Sequence, residues 1–370
     1  MNMRAAVLRG QSLSMPIECV AIDEPRADEV LVRVVATGIC HTDIKVAMVP
    51  GLSPRPIVLG HEGAGVVEKV GANVRKLSVG DHVVLTFDSC GQCPTCVSGK
   101  PSYCYEVAAV CFGGKRLDGS TTLTCNHEAV HGNFFGQSSF ATHAIANERN
   151  AIRVRKDAPL ELLGPLGCGL QTGAGAVLNS LRLGAGQTIA VFGTGAVGLA
   201  AVMAARIAGA SKIFAIDIAP ERLALAGELG ATHVINGAHE DALAAILAQT
   251  GRGVDFSLDT TAVEAVTRQA IECVGPLGTC GLIANKGPTQ TVPVNILGAM
   301  LRGRSVRGIV QGDSVPDIFI PRLVDFFMEG RFPFDRLVRF YDFEAIDEAM
   351  HDAETGAAIK PVLRMGPSTL

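Results

Sequence analysis

No uninterrupted apolar run of about 20 residues occurs anywhere in the 370-residue chain, so the sequence offers no transmembrane helix. Its opening stretch, MNMRAAVLRGQSLSM, has no continuous apolar segment of the kind a secretory signal needs. A cytoplasmic location is therefore the default expectation. Net charge is only −4 at neutral pH, which leaves no broad basic surface for nucleic acid and no strong pull toward an anionic membrane. Charged residues are scarce at 18%, against 48% hydrophobic, a balance that excludes a disordered chain. Internal repeats, low-complexity tracts and long polar linkers are all missing. Small neutral molecules are the expected partners.

What the chain has is length for two domains, 42 glycines and 11 cysteines. Residues 28–86 carry short Val-rich runs, VLVRVVATG, AGVVEKVG and DHVVLTF, separated by glycines. Such runs predict short strands joined by tight turns, hence a Gly-rich β domain. From 170 to 308 the texture changes. Strand-like runs (TIAVFG, KIFAIDI, THVING, VDFSLDTT, GTCGLIA) alternate with Ala/Leu-rich helical stretches (AVGLAAVMAARIAGA, ERLALAGELG, EDALAAILAQT), the signature of βαβ units and a parallel sheet. After 309 the alternation stops, and FIPRLVDFFMEGRF reads as an amphipathic helix. The expected fold class is α/β, with a β domain built from 1–169 and 309–370 and a doubly wound domain inserted at 170–308.

The inserted domain contains G-x-G-x-x-G at Gly193, Gly195 and Gly198. A strand precedes the motif, a helix follows, and a second strand ends at Asp217, 19 residues after the last glycine. That context predicts a dinucleotide pyrophosphate at the helix N-terminus. Asp217 would take the ribose hydroxyls and repel a 2′-phosphate, so NAD is favoured over NADP. Arg222 lies close enough in sequence to approach the ribose.

In a reducing compartment, clustered cysteines are more often metal ligands or catalytic groups than disulfides. The loop FDSCGQCPTCVSGKPSYC holds Cys90, Cys93, Cys96 and Cys104. Four thiolates on one metal leave no position open and describe a closed tetrahedral site with sulfurs about 2.3 Å from zinc. A CxxC redox role is the alternative, and a nucleic-acid knuckle is disfavoured because Lys100 is the loop's single basic residue. Elsewhere stand Cys40 in GICHTD, His61 and Glu62 in GHEGAG, and Cys168 in GPLGCGLQTGAG. Two thiolates and one imidazole would make a formally neutral zinc site with a fourth position free for water or substrate.

With these motifs in order along nearly the whole length, the chain resembles the zinc-dependent medium-chain alcohol dehydrogenases, and among them most the aryl (benzyl) alcohol dehydrogenases. FFGQSSFATHA and ELLGPLGCGLQTGAGAVLN add to the likeness. The resemblance implies a GroES-like catalytic domain and a Rossmann NAD domain. It implies two Zn²⁺ per subunit: a catalytic one on Cys40, His61 and Cys168, which Glu62 can approach, and a structural one on Cys90, Cys93, Cys96 and Cys104. It makes Asp43 the carboxylate that orients the His61 ring, Thr42 the hydroxyl that takes the substrate proton, and His41 and Lys360 basic contacts to the pyrophosphate. Thr172 falls beside the nicotinamide. A histidine that often ends the family's proton relay is replaced here by Lys45, a poor shuttle at neutral pH.

The implied reaction is reversible oxidation of a primary aromatic or allylic alcohol (benzyl, cinnamyl or a terpene alcohol) to an aldehyde. An aliphatic alcohol, a polyol or a formaldehyde adduct is the alternative; a zinc-binding interaction or nucleic-acid protein is the remote one. Phe87, Phe134, Phe135 and Phe140 are candidates for an apolar pocket wall or for plain core. In the 105–135 insertion, Cys111, Cys125, His127 and His131 are expected to be surface loop residues rather than a third metal site. The resemblance also implies a homodimer or homotetramer, with 293–310 a plausible contact.

Overall fold

In the computed structural model, which describes residues 1–366, the chain divides into two compact units. One comprises Met1–Gly169, Val315–Met328 and the segment from Phe334 onward; the other comprises Leu170–Ser314 and Glu329–Pro333.

The first unit is organised around the strand Glu29–Gly38, EVLVRVVATG, in which eight of ten residues are buried. Burial on both faces explains why its sequence is apolar with little alternation. Gly63–Val70 pairs with it antiparallel, as do His143–Asn147 and Lys360–Arg364. Across this sheet the order is Ala151–Val154, His82–Leu85, Gly63–Val70, Glu29–Gly38, Lys360–Arg364 and Val338–Asp342. A second sheet runs Ile57–Val58, Asn2–Leu8, Ile17–Ile22, Leu123–Cys125 and Glu128–Val130. Its last two strands come from the 105–135 insertion, which is thus partly built into the unit; contrary to the expectation of surface loop residues, Cys111 and Cys125 are buried in the apolar core. Phe134 and Phe140 are fully buried, each contributing about 2–3 kcal/mol of apolar burial. The helix Pro316–Met328 buries Phe319, Ile320, Leu323 and Val324 along one side, as its amphipathic pattern predicts.

The second unit is a six-stranded sheet in the order His233–Asn236, Lys212–Asp217, Thr188–Phe192, Val254–Asp259, Val274–Leu282 and Ser305–Gly308. All its pairings are parallel. The order reverses after Thr188–Phe192, the first strand in sequence, so the glycine motif that follows it lies at the point where doubly wound sheets bind ligands.

Candidate active site and metal centres

Strand pairing brings the scattered ligand candidates to one place. Thr37 is in register with Gly63 and Gly38 with Val362. Cys40 follows one strand, His61 and Glu62 precede its antiparallel neighbour, and Lys360 opens the third, so all four fall at the same sheet end. The fourth element is tied in by Thr86, whose Oγ1 donates to the Gly167 carbonyl at 2.7 Å, one residue before Cys168. Ligand atoms of Cys40, His61, Glu62 and Cys168 lie within 4.8 Å of one another.

Asp43 fixes the geometry. It is completely buried, and its carboxylate accepts from the backbone N–H groups of Cys40 (3.0 Å) and Gly60 (3.1 Å) and sits 2.9 Å from His61 Nδ1. With the Nδ1 proton committed to Asp43, the lone pair is left on Nε2. That atom is buried and has no hydrogen-bond partner, an arrangement costly in a protein interior unless something else takes the lone pair. Burial alone would lower the His61 pKa, but Asp43 outweighs it and holds the imidazole well above its ordinary value. Contact with Cys168, and then with His61, draws the Cys40 thiol well below the usual thiol range against the effect of burial. An orphaned imidazole nitrogen and an acidified thiol beside a second thiol are what a zinc ion requires, and the donor set fits it.

Glu62 sits in the same cluster but is otherwise engaged. Both its oxygens meet Lys360 Nζ, at 3.1 and 2.9 Å, and Oε1 accepts from the Gly169 N–H at 3.1 Å. A Cβ on Gly38 would stand 2.2 Å from the Glu62 carboxylate, so glycine is needed there for the acid to lie where it does. Burial pushes the Glu62 pKa up to about 7, against the pull of Lys360. Burial acts to lower the Lys360 pKa, but Glu62 and Cys40 more than restore it. The structure places Lys360, expected as a pyrophosphate contact, in this buried pair with Glu62 and with the Ile39 carbonyl at 3.0 Å. Thr42 is half-buried in the first turn of the helix His41–Met48, and His41 is exposed at its start.

The second cluster is local. Cys90, Cys93, Cys96 and Cys104 also bring their sulfurs within 4.8 Å. Backbone N–H groups of Cys90 and Glu106 donate to Cys104 Sγ, and that of Cys93 to Cys90 Sγ, at 3.2–3.4 Å. Mainly through the Thr95 hydroxyl, the Cys93 thiol is lowered to about 5, whereas burial pushes Cys104 up to about 12. Four thiolates so close need a cation to share their charge, so this donor set fits a metal too. Among the described residues these two groups are the potential metal clusters, and Cys111, Cys125, His127 and His131 form none.

In the parallel-sheet unit the glycines shape the turn at the start of a helix. A Cβ on Gly198 would lie 1.8 Å from the Gly193 carbonyl, while one on Gly195 would meet nothing within 4 Å. The first fact fixes close packing of helix on turn; the second leaves open space beside the N-terminus of the helix Ala196–Ile207, where a phosphate fits. Asp217 accepts from Thr194 through both N–H (2.6 Å) and Oγ1 (2.8 Å), and from the N–H groups of Ile218 and Ala219. These bonds outweigh burial and keep it ionised below the usual carboxylate range. Its acceptor sites are therefore filled within the protein, and a ribose contact requires exchange of at least one, most simply the Thr194 hydroxyl. Arg222 is half-buried in the first turn of Pro220–Leu229. Thr172 is buried, with Oγ1 3.3 Å from Gln311 Oε1.

Two things escaped the sequence. The Glu62–Lys360 pair joins residues about 300 positions apart, and Phe112, from the insertion, packs edge-on to Phe134 and Phe135 at 6.1 and 5.2 Å. Phe135 in turn stacks on the His61 ring at 4.5 Å.

Comparison with known proteins shows the family. Residues 26–156 match the alcohol dehydrogenase GroES-like domain family and residues 196–328 the zinc-binding dehydrogenase family. A geraniol dehydrogenase of Castellaniella defragrans is 49% identical over 362 residues, 97% of each chain. The crystal structure of benzyl alcohol dehydrogenase from Acinetobacter calcoaceticus superposes with a TM-score of 0.96 at 43% identity, covering 99% of this chain and 100% of that one. An alcohol dehydrogenase zinc-binding domain protein from Burkholderia ambifaria superposes at 0.97 with 53% identity, covering 99% of both.

Proposed function

Because this chain belongs to the zinc-dependent medium-chain alcohol dehydrogenases, we propose that it catalyses the NAD-linked, reversible oxidation of primary aromatic or allylic alcohols to aldehydes. The observation that carries the reading is the convergence of Cys40, His61 and Cys168 with His61 Nε2 buried and unpartnered. Similarity to a geraniol dehydrogenase and to a benzyl alcohol dehydrogenase supports the substrate class.

When bound to these three residues, zinc supplies the Lewis acidity that makes an alcohol hydroxyl readily deprotonated. Asp43 holds the His61 ring through Nδ1, leaving Nε2 as the atom that would hold the metal. Thr42 takes the hydroxyl proton at its Oγ1, and exposed His41, its neighbour, passes it toward solvent. Gly195 and the helix N-terminus would hold the pyrophosphate of NAD, Arg222 and Asp217 the ribose, and Thr172 would lie on the nicotinamide side; NAD, when bound, would supply the hydride acceptor. The four-cysteine loop holds a second, structural zinc.

The chain is also proposed to pair with a second copy along the edge strand Ser305–Gly308. All four of its residues are exposed, and the adjoining helix exposes Ile296, Leu297, Met300 and Leu301. An edge strand flanked by such apolar surface is a template for pairing. Val306→Lys with Leu301→Lys should give monomers by sedimentation; a parent that is itself monomeric would contradict the interface.

Steady-state rates on a substrate panel test the central reading. Benzyl, cinnamyl and geranyl alcohols should turn over faster than ethanol or sorbitol; the reverse order would reject the substrate class while leaving the reaction type standing.

A further inference from the structure

The fully buried amide of Gln137 carries an inference about how the ligand candidates are aimed. Around it the backbone is strained: Phe135, Gly136 and Ser138 have φ of 52°, 70° and 52°, a region that side chains at 135 and 138 disfavour. Built-in hydrogen bonds hold this conformation. Ser138 Oγ donates to the Val58 carbonyl at 2.6 Å and accepts from the Phe134 N–H at 2.9 Å, and Asn150 Nδ2 donates to the Gly136 carbonyl at 3.1 Å. What the strain achieves is the placement of one side chain.

Gln137 Nε2 donates to the carbonyls of His61 (3.0 Å) and Thr86 (3.1 Å), while its Oε1 accepts from the Gly63 N–H (3.1 Å). The amide therefore brackets Glu62 from both sides and fixes the backbone from which the His61 ring projects. Through Thr86, whose hydroxyl holds the Gly167 carbonyl, the same amide connects that backbone to the residue before Cys168. Asp43 ties the Cys40 segment to His61 and Glu62 ties its own segment to Gly169, and Phe135 from the same turn as Gln137 covers one face of the His61 ring.

We infer that Gln137 is a positioning residue that sets the spacing between the His61 imidazole and the Cys168 thiol. The inference rests on the reading of Cys40, His61 and Cys168 as zinc ligands. Residues that orient ligands indirectly typically change metal affinity by about 10–100-fold when replaced.

The test replaces the zinc of the full-length enzyme with Co²⁺ and compares the parent with Gln137→Glu and Gln137→Met. Both variants keep the side-chain volume; the first keeps an acceptor for the Gly63 N–H and the second keeps no polar atom. Ser139→Ala serves as control, because Ser139 Oγ is buried against Thr37 Oγ1 at 2.8 Å and makes no bond to a ligand segment.

The expected result is a shifted d–d spectrum in both Gln137 variants, loss of that metal to a chelator about 10-fold faster or more, and a fall in kcat with little change in KM for NAD. Ser139→Ala should lose stability but keep the parent spectrum. Spectra and release rates equal to the parent's in either soluble Gln137 variant would overturn the inference. So would an equal shift in Ser139→Ala, or failure of both Gln137 variants to fold, which would make the residue's role one of folding. A parent that takes no cobalt outside the cysteine loop would instead defeat the ligand reading itself.

Discussion

The molecule brings cysteines together twice by opposite means. In the loop 90–104, four thiols meet because they are close in sequence, three of the four are half-exposed, and backbone N–H groups point at their sulfurs. At the sheet end, Cys40, His61 and Cys168 meet because strands pair in register, and the surroundings are buried carboxylates, a buried lysine and an imidazole nitrogen with nothing to bond. The loop uses every donor for closure, whereas the scattered site spends its hydrogen bonds on aiming one open set of ligands. A locally encoded metal site suits support; a site assembled by the whole fold suits chemistry, because its shape and electrostatics are set by paired strands and buried charges together.

The largest effect that would sharpen this contrast is expected from Cys168→Ser. Turnover should disappear and one zinc per chain should be lost, with the circular dichroism spectrum and the second zinc retained; undiminished activity would break the distinction. Next comes the buried pair. Lys360→Met leaves the Glu62 carboxylate without its partner, and removal of one member of such a pair costs about 3–5 kcal/mol, read from chemical denaturation. The double variant with Glu62→Gln should recover most of that loss, and failure to recover would show that the pair is not a coupled unit.

Cys96→Ser opens the loop site. Releasing a closure of about 15 residues costs about 3 kcal/mol by loop entropy, or about 6–12 °C in melting temperature for a unit of this size. Activity should fall only as the protein unfolds; a variant with its loop zinc gone and the parent's melting temperature would remove the structural role. The smallest effect is expected outside both metal sites. Asp217→Ala should weaken NAD about 10-fold, about 1.4 kcal/mol, and narrow the preference over NADP. An unchanged ratio of kcat/KM for the two cofactors would show that Asp217 serves the turn at Thr194 alone.

Local features were the ones legible in the sequence. The glycine motif with its flanking strand and helix, the alternating texture of 170–308, and the spacing of the loop cysteines all depend on residues close in the chain. The ligand candidates were readable as residue types, and their family resemblance gathered them into one site. What the sequence did not reveal depends on register. Lys360 reaches Glu62 because Val362 pairs with Gly38, and no periodicity near either residue signals that. Nothing in FFGQSSF signals a role for Gln137, since its work is defined by backbone groups of His61, Gly63 and Thr86. In the 105–135 insertion, the strands Leu123–Cys125 and Glu128–Val130 are only three residues each, too short for an alternation to be seen.

The division of labour between the two sites is tested most directly by stepwise chelation of the parent enzyme, following zinc release, NADH formation from benzyl alcohol and melting temperature in the same samples. Zinc should leave in two phases, one of them missing in Cys168→Ser. Activity should vanish with that phase at a nearly constant melting temperature, and the melting temperature should fall with the other. Activity that tracked the loop zinc, while the enzyme stayed fully active after losing the metal bound through Cys168, would contradict the account.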